Sequence, residues 1–147
     1  MVVDSSVIVK WFKKGEEFEQ EGLKLREDIL SSTMNALTSE LTRLEVCRAL
    51  VKAGYPREKV KETFATLSEM ESLGFVTPVR LAGLANEAIS LILGLNLYVA
   101  DSLILASAIV TSSTLLTEDK HLLKAEVRKM MNARKLKVLR LEGVYRD

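Results

Sequence analysis

The 147-residue chain contains five aspartates, Asp4, Asp28, Asp101, Asp119 and Asp147. Asp28 lies in a charged stretch and Asp147 is the last residue. The other three stand where carboxylates are uncommon. Asp4 closes the apolar run MVVD, Asp101 interrupts YVADSLILASAIV, and Asp119 follows LLTE. Acidic side chains are rarely buried unless paired, so these positions need partners. Glu45 in SELTRLEVCRAL is a fourth acid, bordering an apolar stripe of Leu41, Leu44, Cys47 and Val51.

Carboxylates gathered at one place repel, and each has its pKa raised unless a cation compensates. Oxygen donors suit hard cations, so Mg²⁺ or Mn²⁺ is the matching metal. One His, His121, and one Cys, Cys47, make zinc a poor match. A hard cation can activate water and stabilise charge on a phosphoryl oxygen. The chain offers no Ser–His–acid or Cys–His nucleophile set and no Gly-rich phosphate loop. Plainer roles are also open. Asp4, Asp101 and Asp119 can each cap a following helix, and Glu45 can pair with Arg48 three residues on.

The acids need elements to carry them. Met1 to Asp4 reads as a buried strand, and Ser5 and Ser6 as caps of a helix beginning near Val7. A charged helix is expected over 16–30, with Phe18, Leu23, Ile29 and Leu30 inward. A short strand is expected over 34–37, then a helix capped by Thr38 or Ser39 and running to Ala53. Gly54, Pro56 and Gly74 bound the next helix, lined by Val60, Phe64, Leu67 and Met70. A strand over 75–79, weakened by Pro78, and helices over 84–93 and 99–110 follow. The remainder reads as a strand over 115–117, a helix over 119–131 and an edge strand over 136–141. Strands alternating with helices imply parallel pairing in a layered α/β sandwich. Ligands bind such sheets beyond the carboxyl ends of the strands. That rule places Asp4 and Asp119 on the same edge.

The chain is 48% hydrophobic and suits one domain spanning 1–147. With no signal peptide and no possible internal disulfide, a cytoplasmic setting is expected, and no run is long enough to span a membrane. The net charge of +1 conceals an asymmetry. Residues 1–119 hold 12 basic and 17 acidic side chains, whereas 120–140 hold eight basic residues against Glu126 alone. Such a segment suits a polyanion, or simply a solvated helix face.

The four acidic stretches, in this order, resemble those of PIN-domain ribonucleases, and specifically the VapC-type toxins of toxin–antitoxin pairs. VVDSSVIVKWF resembles the first motif, SELTRLEVCRAL the second and YVADSLILASAIV the third. LLTEDKHLL resembles the fourth, with Thr117 and Asp119 in a Thr-x-Asp pattern. The resemblance implies a PIN-like α/β/α sandwich with a short-stranded, mainly parallel, Rossmann-like sheet. It also implies an endoribonuclease using Mg²⁺ or Mn²⁺ held by Asp4, Glu45, Asp101 and Asp119, and leaving 5′-phosphate and 3′-hydroxyl ends. Ser5, Ser6 and Thr117 would orient the carboxylates. A homodimer and a small antitoxin are further implied partners. One departure is that Lys120, His121 and Leu122 follow Asp119, where an aromatic residue is common in the family.

Lys10, Arg43, Lys120 and Lys124 are candidate contacts to RNA phosphate, with ordinary surface roles open for Lys10 and Arg43. Two other classes stay open: a PIN-like protein that binds RNA without cutting it, and a receiver-like phosphoacceptor domain. The second lacks support, because Ser5 and Ser6 follow Asp4 and no Asp lies between Asp28 and Asp101.

Overall fold

The computed structural model describes residues 1–145; Asp147, the terminal acid, lies outside them. Five strands form one wholly parallel sheet in the order β3-β2-β1-β4-β5. They are β1 (Val2–Val3), β2 (Ala36–Ser39), β3 (Val76–Val79), β4 (Leu115–Leu116) and β5 (Val138–Leu139). Among the described residues eight α-helices accompany them: α1 (Ser5–Ile8), α2 (Glu19–Leu30), α3 (Thr42–Lys52), α4 (Arg57–Ser72), α5 (Ala85–Leu95), α6 (Val99–Val110), α7 (Ala125–Ala133) and α8 (Glu142–Tyr145).

The three layers follow from the period-2 alternation of strand side chains. Val2 and Leu115 belong to one apolar cluster, Val3 and Leu116 to the other. The first cluster takes in α5, α6 and α7; the second takes in α1, α2, α3 and α4. The layered α/β architecture expected from the sequence is therefore present. From β1 the chain runs outward through β2 and β3, then returns to place β4 on the other side of β1. That reversal between β1 and β4 is where doubly wound sheets open a crevice. Pro78 is tolerated because β3 is an edge strand.

Several element ends differ from expectation. α1 starts at Ser5 with Asp4 as its cap, so the serines lie inside the helix. β2 runs to Ser39, which puts Thr38 and Ser39 in the strand, and no side chain caps α3. α2 begins at Glu19 and buries Gly22, Leu25 and Ile29, leaving Leu30 exposed. α3 turns Thr42, Val46 and Leu50 inward, whereas Leu44 and Val51 face solvent. α4 buries Thr63, Leu67 and Met70, with Phe64 exposed. Residues 119–124 form turns, and α7 begins only at Ala125.

α6 matches its expected span. Five of its twelve residues are buried and apolar. Its buried hydroxyls bond within the helix, Ser102 to the Val99 carbonyl and Ser107 to the Leu103 carbonyl, so no polar group is left unsatisfied there. Its first turn, carrying Asp101, points to the crevice edge. Among the described residues no single helix is long and apolar enough to cross a membrane.

Candidate active site

Asp4 follows β1 directly in an extended conformation and is only 5% exposed. Its Oδ1 accepts the Ser5 backbone N–H at 2.8 Å. Its Oδ2 accepts the Ser6 hydroxyl at 2.6 Å and the Thr117 hydroxyl at 2.8 Å. The capping role open from sequence is thus real, and it coexists with a second one. A carboxylate that only caps needs no hydroxyls from the neighbouring strand.

Those hydroxyls belong to a short chain of bonds across the crevice. The Glu118 N–H donates to Ser6 Oγ at 2.9 Å, and the Asp119 N–H donates to Thr117 Oγ1 at 3.0 Å. Asp119 Oδ1 accepts the His121 N–H at 2.6 Å, closing a turn instead of opening a helix. Glu118 carries the bonds further. Arg140 grips its Oε2 through Nε and Nη2 at 2.9 and 2.7 Å, and the Leu141 N–H reaches its Oε1 at 2.8 Å. Sequence reasoning did not single out Glu118; its place inside the Thr-x-Asp pattern was the only signal.

Glu45 stands in the first turn of α3 and Asp101 in the first turn of α6. Asp101 makes no capping bond. Among the described residues Glu45 forms no ion pair with Arg48, and none of the four acids pairs with a Lys or Arg.

Burial, then the charges of Asp4 and Asp101, push the Glu45 carboxyl up to about 7, with the Ser5 hydroxyl opposing. Burial, then Asp119 and Asp4, push Asp101 to about 6, against the pull of His121 and Lys124. Burial raises Asp4 as well, partly offset by Ser6 and Thr117. Each of these carboxyls therefore feels at least one other acid of the set. Among the described residues, however, no three His, Cys, Asp or Glu side chains are gathered tightly enough to hold one ion. Without a counter-charge, like charges favour separation.

The acids expected as ligands, Asp4, Glu45, Asp101 and Asp119, offer oxygen donors only, the chemistry that suits a hard divalent cation.

Two clefts flank the acids. One of about 580 Å³ is lined by Glu45, Ser5, Asp119, Leu44, Arg48 and Lys52 among others. The other, about 240 Å³, is lined by Asn96, Leu97, Tyr98, Asp101, His121 and Lys124. Neither Tyr98 nor His121 stood out in the sequence as a site residue.

The expected phosphate contacts divide. Lys120 and Lys124 are exposed, Lys124 beside Asp101. Lys10 is 5% exposed, its ammonium bound to the Glu17 carbonyl at 2.6 Å. Arg43 spans α3 and α4, bonding Ser68 and Glu71 and lying over Phe64. Both are engaged inside the fold. The basic segment divides likewise. Arg128, Arg134 and Arg140 bond protein groups, while Lys120, Lys124, Lys129, Lys135 and Lys137 are exposed.

No curated protein sequence matches the chain significantly. The model of the PIN domain family matches residues 1–127, which take in β1 to β4 and all four acids. The chain belongs to the PIN domain family.

Proposed function

We propose that this chain is a Mg²⁺- or Mn²⁺-dependent endoribonuclease whose single nuclease domain spans 1–147, with Asp4, Glu45, Asp101 and Asp119 as its metal-holding, catalytic residues. PIN domains are generally nucleases, which supplies the reaction class. The observation that carries the reading is the set of carboxyls at the β1–β4 crevice, with Asp4 bonded across it to Thr117 and, among the described residues, none of the four ion-paired to a Lys or Arg. The chemistry a bound hard cation supplies is charge neutralisation at the phosphoryl oxygen and an acidified water.

The chain's own residues do the rest. Ser6 and Thr117 hold both lone pairs of Asp4 Oδ2 in place, so that carboxylate is oriented before any ligand arrives. Asp119 is fixed through its own N–H on Thr117. Arg48 and Lys52 on one side and Lys124 on the other give the acidic centre cationic flanks, which suits a chain of phosphates passing over it.

The resemblance of the four motifs extends the proposal to a VapC-type toxin acting in the cytoplasm, as a homodimer neutralised by a small antitoxin. Cleavage of end-labelled RNA with Mg²⁺ or Mn²⁺ tests the reading. Products should carry 5′-phosphate and 3′-hydroxyl ends, and EDTA should stop their formation. Cleavage that persists in EDTA refutes it.

A further inference from the structure

The smaller cleft contains groups that a carboxylate cluster does not need. We propose that Tyr98, His121, Asn96 and Lys124 form a subsite for one unstacked nucleobase of single-stranded RNA, beside the phosphate at the acids. The proposal rests on the nuclease reading.

Tyr98 is 73% exposed although it precedes the most apolar helix of the chain. Its ring meets the His121 imidazole at 88° with centroids 5.9 Å apart, so the two rings make a right-angled corner. Both line the cleft with Asp101. Asn96 ends α5 in a left-handed conformation (φ 51°). Among the described residues its side-chain amide and the Lys124 ammonium have no hydrogen-bond or ion-pair partner in the protein. The cleft of about 240 Å³ leaves room for a planar heterocycle.

These groups match the chemistry of a base with its phosphate. An aromatic ring stacks on any base, because every base has a π-face. A primary amide both donates and accepts, which suits the polar edge of a base. A free ammonium at the rim suits a phosphate oxygen. Bases inside an A-form duplex are stacked and cannot enter such a corner, so the ligand is single-stranded. The set lies against Asp101, which places the captured nucleotide next to the scissile bond of the proposed reaction.

The test is fluorescence anisotropy with a labelled hexaribonucleotide in calcium buffer, for wild type, Tyr98→Ala and Tyr98→Phe. A second hexamer carries a single abasic nucleotide. Tyr98→Ala should weaken binding roughly 5- to 100-fold, while Tyr98→Phe should bind like wild type. The abasic change that weakens wild type most should cost Tyr98→Ala little more. Equal binding by wild type and Tyr98→Ala overturns the proposal, as does an abasic effect of the same size in both. A wild type that binds no hexamer also overturns it. Tyr98-dependent binding without any Mg²⁺-dependent cleavage overturns the nuclease reading alone.

Discussion

The Thr117 hydroxyl donates to Asp4 Oδ2 at 2.8 Å although the two residues are 113 positions apart. Parallel pairing of β1 with β4, Val3 opposite Leu116, brings the strand ends side by side. Thr117 is fully buried, so its hydroxyl has little choice but to find a partner in the protein. The bond therefore fixes the first acid to the loop that carries the fourth.

Thr117→Val removes this donor while keeping the shape of the side chain. It leaves one Asp4 contact unmade and the Asp119 N–H without its acceptor. The expected cost is about 1–3 kcal/mol of unfolding free energy, with weaker Mn²⁺ binding because Asp4 ionises less readily. Thr117→Ser should restore most of both. Chemical denaturation and Mn²⁺ calorimetry on the three proteins check this.

The raised carboxyls predict the pH dependence of stability. A native carboxyl with a pKa above its unfolded value binds more protons when folded, so stability falls as pH rises between the two values. For Glu45 and Asp101 that interval runs from the ordinary carboxylate range to about 7 and about 6. Metal-free protein should lose on the order of 1–2 kcal/mol per site across it, after allowance for solvent screening of half-buried groups. Mg²⁺ or Mn²⁺ should reverse the loss above pH 7. Thermal melts from pH 4 to 8, with and without Mn²⁺, read the slope. A metal-free melting temperature that rises between pH 5 and 7 contradicts the assignment.

Glu118 ties Arg140 and the Leu141 N–H to the acid loop. Glu118→Ala should free the β5–α8 end and loosen Ser6 through the shared turn, lowering stability by about 1–3 kcal/mol. Hydrogen exchange should rise at Leu141 and around Ser6. Arg140→Ala should be milder, because the Leu141 bond to Glu118 remains.

How much was legible in the sequence depended on whether local pattern or tertiary contact decided each feature. β1 and α6 were readable because each is an apolar run with little else to become. α3 was misread because its sequence offers two stripes. Leu41, Leu44, Cys47 and Val51 look like an inner face, yet the helix turns Thr42, Val46 and Leu50 inward. The polar Thr42 is buried because its hydroxyl accepts the Ser39 N–H, a contact that spacing does not reveal. The turn at 119–124 was hidden for a similar reason. Helical propensity runs on past Asp119, but the His121 N–H on the Asp119 carboxyl sets a different course. Parallel order put Asp4 and Asp119 together from sequence alone, whereas Tyr98 beside His121 depends on how α6 meets the turn after β4.

The central claim is that Asp101 acts with Asp4, Glu45 and Asp119 in a divalent-metal-dependent cleavage. The direct measurement is Mn²⁺-dependent cleavage of labelled single-stranded RNA by Asp101→Asn beside wild type, with both proteins shown folded by circular dichroism. The account predicts cleavage by wild type, abolished by EDTA, and a loss of about 100-fold or more in Asp101→Asn, on the scale expected when a group that stabilises transition-state charge is removed. A folded Asp101→Asn protein that cleaves at the wild-type rate contradicts it.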